Sequence, residues 1–193
     1  METGGGLRER KKAATRQALH EAAVALTLAH GLDRVTVEAI ADAAMVSRRT
    51  FSNYFGGKEQ ALLYDDRRRM AQLVTMVRER PAEDTPWQAL TAAALDLCAE
   101  FSDPDRLAKM RALRKHPSLL SEQIALFTAT EDDLADAISA RMPDADPLRP
   151  RLMAAAFLTA LRVASHLWED EPDAAPLTDQ VADVLAAMAL PFD

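Results

Sequence analysis

Cysteine is almost missing from this chain: Cys98 is the only one in 193 residues. One thiol closes no internal disulfide, so packing alone must hold the fold, and the usage fits a reducing cytoplasm. Cys98 sits among Leu95, Leu97 and Phe101, the setting of a small core residue rather than of a redox sensor. Aromatics are only 5% of the residues, and alternating β-branched runs are scarce, so strand signals are nearly absent. No apolar run is long enough to span a bilayer, and the N-terminus lacks the apolar stretch of a signal peptide. Beyond GGG at positions 4–6, no glycine-rich loop offers a phosphate cradle. The four histidines, His20, His30, His116 and His166, are scattered, with no metal-ligand spacing. No nucleophile elbow or Cys–His pair stands out. These absences predict a cytoplasmic protein that is no enzyme, holds no metal or cofactor and does not cross a membrane.

What is present is helix. Apolar residues make up 49% of the chain, and they recur at helical spacing from end to end. The pattern predicts an all-α fold of about nine helices. The first runs from Leu7 to Ala29, before Gly31, and two short ones follow between Thr36 and Phe55. A longer helix spans Lys58–Glu79 and stops ahead of Pro81. PAEDTP (81–86) is a linker. Further helices cover Pro86–Phe101, Pro104–Lys115, Ser118–Met142, Pro150–Glu169 and Leu177–Leu190. The net charge of -7 conceals a segregation. Through Arg69 there are 12 Lys and Arg against 9 Asp and Glu; beyond it, 11 against 21. A basic head on an acidic body suits approach to phosphate, because local charge governs that approach. Arg8, Arg10, Lys11, Lys12 and Arg16 are candidates for backbone contact, or a solvated helix face.

The segment Thr36–Lys58, TVEAIADAAMVSRRTFSNYFGGK, carries the strongest signal. Thr36 can cap a first short helix, and Val37, Ile40, Ala41 and Ala44 would face inward. Ala44-Met45-Val46 makes the turn. Ser47 then caps a second helix, Arg48 to about Phe55, with Gly56-Gly57 as its stop. Phe51 and Phe55, four residues apart, would anchor one face. The other face is rich in hydrogen-bonding groups. Arginine suits guanine O6 and N7, asparagine suits adenine, and a threonine methyl can meet the thymine methyl. The candidate DNA contacts are Thr36, Ser47, Arg48, Arg49, Thr50, Ser52, Asn53, Tyr54 and Lys58, with Thr36, Tyr54 and Lys58 placed for phosphate oxygens.

Residues 7–64 resemble the DNA-binding domain of the TetR family of bacterial transcription regulators. The matching positions are the Thr36–Ala44 helix, Val46-Ser47, Thr50-Phe51, Asn53-Tyr54-Phe55, Lys58-Glu59 and Ala61-Leu62-Leu63. The resemblance implies a helix from Ser47 to Phe55 in the major groove, with base contacts from Arg48, Arg49, Thr50 and either Ser52 or Asn53. One position departs: Met45 stands where the family commonly has glycine, and positive φ there would carry strain on the order of 1 kcal/mol.

The same resemblance implies a division into a disordered start (1–6), a helix-turn-helix domain (7–57) and an effector-binding and dimerisation domain (58–193). It implies a homodimer paired through the last two helices. Ala156, Ala160, Leu161, Ala164 and Leu167 would serve from one, and Val181, Val184, Leu185 and Met188 from the other. A two-fold dimer reading two half-sites of a palindromic operator gains affinity and specificity over one short helix. It implies a small-molecule effector among Met70, Leu73, Val77, Trp87, Phe101, Met110, Leu113 and Phe127, residues that could equally be filled core. The body's Lys115-His116-Pro117 segment and Arg149-Pro150-Arg151-Leu152 helix start look most like the subgroup of mycofactocin-type regulators, which points to hydrophobic or acyl-CoA-like effectors. The implied function is a DNA-binding repressor released by its effector. The alternative is a helix-turn-helix protein without an effector, acting through protein partners or as an activator.

Overall fold

The computed structural model describes residues 4–100, 116–170 and 176–189. These residues form nine α-helices and two 3-10 turns, with no strand among them. The helices are α1 (Gly4–His30), α2 (Val37–Ala43), α3 (Arg48–Ser52), α4 (Lys58–Leu62), α5 (Tyr64–Glu79), α6 (Pro86–Glu100), α7 (Leu120–Ser139), α8 (Leu148–Asp170) and α9 (Leu177–Ala189). The helix expected over Pro104–Lys115 lies outside the described residues. α1 starts at Gly4, ahead of the Leu7 expected, so Gly4–Gly6 are helical rather than a disordered start.

The chain divides into two compact units. One falls within Met1–Arg67 and Ala108–Gln123, the other within Arg68–Leu107 and Ile124–Asp193. The first, the head, therefore extends past Gly57 and takes in a strap, residues 116–123. Leu119 of that strap, 1% exposed, enters the head core beside Leu19, Ile40, Phe51 and Leu62. Polar contacts hold its two ends. His116 Nε2 lies 3.4 Å from Asp33 Oδ1, and Gln60 Nε2 donates to Glu122 Oε1 at 3.2 Å.

Within the head, α1 packs on α2 and on α4. A single helix over Lys58–Glu79 does not form. Leu63 interrupts it at φ -87°, ψ 11°, with its N–H bonded to Glu59 O. Leu62 and Leu63 are both buried, as is Asp65 just beyond, so the chain must turn to bury successive residues. His20 on α1 spans this break. Its Nδ1 is 2.9 Å from Ala61 O, and its Nε2 is 3.4 Å from Asp65 Oδ2. A carbonyl only accepts, so Nδ1 carries a proton, and the facing carboxylate favours a second proton on Nε2. Burial alone would lower the His20 pKa; the bonds to Asp65 and Ala61 outweigh it, and the net shift is upward.

In the second unit, the body, α9 packs on α8 and α6 around Leu90, Leu134, Ile138, Met153, Phe157 and Leu185. Trp87 meets Phe157 edge-on at 6.2 Å between centroids. Arg141 donates to the carbonyls of Val77, Arg80 and Pro81, tying off the last turn of α5. Cys98 is half-buried against the core, and burial pushes its thiol pKa up, as suits an inert packing residue.

Candidate nucleic-acid interface

Local capping builds the reading motif. Thr36 Oγ1 accepts from Ala39 N at 3.1 Å and starts α2. The turn after α2 is a Schellman closure. Val46 N donates to Ala41 O at 2.9 Å and Met45 N to Asp42 O at 3.0 Å. That double closure demands a left-handed residue between them, and Met45 supplies it at φ 55°. Its side chain is 92% exposed. The strain expected from a methionine at this position is therefore present, and two backbone hydrogen bonds hold it there.

Ser47 starts α3, its Oγ accepting from Thr50 N at 3.0 Å and lying 2.9 Å from Thr50 Oγ1. Phe51 and Phe55 are buried and tilt against each other at 5.8 Å, with Tyr64 edge-on to Phe55 at 5.7 Å. These anchors turn Arg48, Arg49, Ser52 and Asn53 outward, while Thr50 and Tyr54 are half-buried. α3 is shorter than its sequence promised. It ends at Ser52, where bonds from Asn53 N to Thr50 O and from Tyr54 N to Phe51 O tighten the chain and let Phe55 drop into the core. Gly56-Gly57 is not its cap. Gly57 is extended at φ -170° and opens α4, while Gly56 N donates to Gln60 Oε1 at 2.9 Å.

The structure gives two of the expected contacts internal partners. Lys58 Nζ donates to Leu32 O at 2.8 Å and Val35 O at 3.0 Å. Two of its three N–H groups thus clamp the approach to α2, and one remains. Arg48 Nη1 lies 3.0 Å from Glu38 Oε1, whereas Arg49 makes no ion pair among the described residues. Glu38 had no place in the sequence reading. Only the packing of α2 on α3 brings it to Arg48.

The basic start of α1 reaches the same region. Leu7, Arg8, Glu9, Lys11, Lys12 and Thr15 line an open groove of about 860 Å³ together with Thr50, Asn53 and Tyr54. Arg16, half-buried, stacks its guanidinium over Tyr54 at 5.5 Å and Tyr64 at 5.9 Å, so it props the motif from behind.

The expected body residues divide. Leu73, Val77 and Trp87 are buried in the core, with Met70 and Phe127 packed against it. Phe101, Met110 and Leu113 lie outside the described residues. Of the helices expected to pair, Ala160, Ala164, Val181 and Leu185 are buried in this chain's own core. Leu161, Val184 and Met188 pack against that core, Ala156 is half-buried, and Leu167 is exposed. The open apolar face of α8 is instead Leu148, Leu152, Val163 and Leu167. Its spacing of 4, 11 and 4 residues was readable, but not separable from the buried stripe beside it.

Comparison with known proteins agrees with this geometry. The family model described as bacterial regulatory proteins, tetR family, matches residues 19–64, and that of the MftR C-terminal domain matches 84–193. The HTH-type transcriptional regulator TcmR of Streptomyces glaucescens is 34% identical over 175 residues, covering 86% of this chain and 77% of TcmR. SmeT, the repressor of the Stenotrophomonas maltophilia efflux pump SmeDEF, shares the fold in its triclosan complex. There the TM-score is 0.66 at 23% identity, over 92% of this chain and 91% of that one. Thermus thermophilus FadR in complex with lauroyl-CoA shares it at a TM-score of 0.61 and 24% identity, over 92% and 95%. With a helix-turn-helix head that turns arginines outward and a body that is helical among the described residues and matched over 84–193, this chain belongs to the TetR family of bacterial transcription regulators.

Proposed function

We propose that the chain is a cytoplasmic homodimeric repressor that binds a palindromic operator and is released by a small hydrophobic effector. The observation that carries the DNA reading is the outward row Arg48, Arg49, Ser52 and Asn53 on a helix anchored by Phe51 and Phe55. Arg48, Arg49 and Thr50, with Ser52 or Asn53, read base edges; Thr36, Tyr54 and the free N–H of Lys58 meet phosphate. Ser47 holds the helix start that presents them. The proposed DNA contacts, Lys58 apart, fall within residues 7–57, and the effector and dimerisation surfaces within 58–193.

The exposed row Leu152, Val163 and Leu167 supports pairing of α8 with its twin, since an apolar stripe of this kind is costly in water. α9 joins that bundle through Val184 and Met188. Two heads would then engage half-sites about 34–36 Å apart, or at a related spacing. Effector binding in the body, by Met70, Phe127 and their neighbours, would favour a head separation that fits DNA poorly, with a coupling of roughly 1–3 kcal/mol. The ligands of SmeT and FadR support a hydrophobic or acyl-CoA-like class.

Dense packing of Leu73, Val77 and Trp87 favours a second reading, in which the body is filled and the protein works through protein partners or as an activator. Thermal-shift titration with lauroyl-CoA and with triclosan separates the two. A dose-dependent rise in Tm supports the effector reading, and flat curves favour the second.

Fluorescence anisotropy on DNA upstream of the gene, against random DNA at physiological salt, tests the core proposal. Binding at least about a thousandfold tighter to the upstream DNA supports a local regulator. Equal, weak binding to both rejects it.

A further inference from the structure

Resting on that DNA reading, we infer that Glu38 is a specificity-determining residue: its carboxylate positions the guanidinium of Arg48 for one base pair per half-site. Glu38 Oε1 stands 3.0 Å from Arg48 Nη1, and the pair bridges α2 to the first turn of α3. Arg48 needs such a partner. It occupies the first position of α3, where the helix dipole is positive, with Arg49 beside it and no acidic residue in that turn. The carboxylate offsets this charge and narrows the directions in which a long, flexible side chain can point.

A carboxylate on a DNA-facing surface works against affinity, because phosphate repels it. Among the described residues, α2 has one acidic side chain in its first turn, and that one is turned onto a base-reading arginine. What it provides is direction. A guanidinium held in place can present its paired N–H groups to guanine O6 and N7, whereas an unrestrained one can also reach nearby phosphates. Arg49, without an ion pair among the described residues, is the internal control. It should tolerate more base identities than Arg48.

Glu38 also lies in the first turn of α2, where any acidic residue steadies the helix. Two variants separate that role from positioning. Glu38→Asp keeps the helix-start charge but is one methylene too short for Arg48. Glu38→Gln keeps the length but loses the charge. The experiment is selection from a randomised DNA pool, with sequencing, on the full-length wild type, Glu38→Asp, Glu38→Gln, Arg48→Ala and the double variant Glu38→Gln/Arg48→Ala. Circular dichroism melting checks that each is folded.

Both Glu38 variants should lose about two- to fivefold of the preference at a single base pair, the range of an exposed charge pair. Glu38→Gln should also bind random DNA more tightly. In the Arg48→Ala background the Glu38 change should add no further loss at that base pair. Unchanged profiles, losses spread over all positions, or wild-type behaviour in Glu38→Asp would each overturn the inference while leaving the DNA reading intact. A wild type that selects no sequence would overturn both.

Discussion

The two units bury similar apolar cores and expose different rows. The head buries aromatic rings and leaves hydrogen-bonding groups outside: Phe51 and Phe55 lie within, Arg48, Arg49 and Asn53 without. The body also buries rings, Trp87 and Phe157, among small residues such as Ala93, Ala154, Ala160 and Ala164, and leaves Leu148, Leu152, Val163 and Leu167 in the open. A polar exposed row fits a polar partner, and an apolar exposed row fits a second apolar surface. The core explains why each unit folds; the exposed row is what the proposed function rests on.

Breaking the head at its anchor should have the largest effect. Phe51→Ala removes a ring that is 1% exposed and should cost about 3–5 kcal/mol, seen as early loss of head structure in denaturant unfolding. Breaking the body's outward row should act on assembly and spare the fold. Leu167→Glu should weaken a dimer by roughly 2 kcal/mol or more, about thirtyfold, as sedimentation equilibrium would detect. An unchanged association constant would remove Leu167 from the interface. Lys58→Ala sharpens the comparison, because Lys58 belongs to both scaffold and surface. It should cost the head about 1–3 kcal/mol by taking a charged donor from the Leu32 carbonyl, which keeps its bond from Val35 N, and from the Val35 carbonyl. Its DNA salt slope should also fall by about one, and an unchanged slope would assign Lys58 to the scaffold alone. The smallest effect should come from Met45→Gly, which relieves the φ of 55° and should stabilise the head by about 0.5–1 kcal/mol in thermal melts.

How far the sequence could be read follows the range of the forces. Capping is local, so Thr36 and Ser47 were legible, as was the positive φ at Met45. The interruption at Leu63 was not, because Ala61-Leu62-Leu63 continues a helical pattern without glycine or proline. Long-range burial breaks it, with the His20 bonds spanning the break. Gly56-Gly57 misled for a related reason: the descent of Phe55 into the core ends α3 before the glycines are reached. In α8 and α9 the periodicity marks apolar stripes, but not which stripe meets the chain's own neighbour. Ala160 and Val181 therefore read the same as Leu167 until the helices are packed. The Glu38–Arg48 pair joins two helices and leaves no mark in the spacing of either.

The buried His20 makes a proton one of the components of the head. With Nδ1 on the Ala61 carbonyl and Nε2 on Asp65, the doubly protonated imidazole is favoured across the junction of α4 and α5. Its pKa is raised by folding, so below the ordinary value of 6.5 both folded and unfolded chains hold the proton and the pair contributes in full. As pH climbs from there through the raised value, that contribution drains away. Between the two values, folding draws a proton out of solution. This contribution to head stability should therefore fall as pH rises above 6.5, and His20→Gln should flatten the profile in urea titrations; a rise in the contribution over that range would reverse the assignment. The hydrogen ion thus acts on the head as a ligand, and alkalinity withdraws its share of the stability by mass action, as dilution withdraws any ligand.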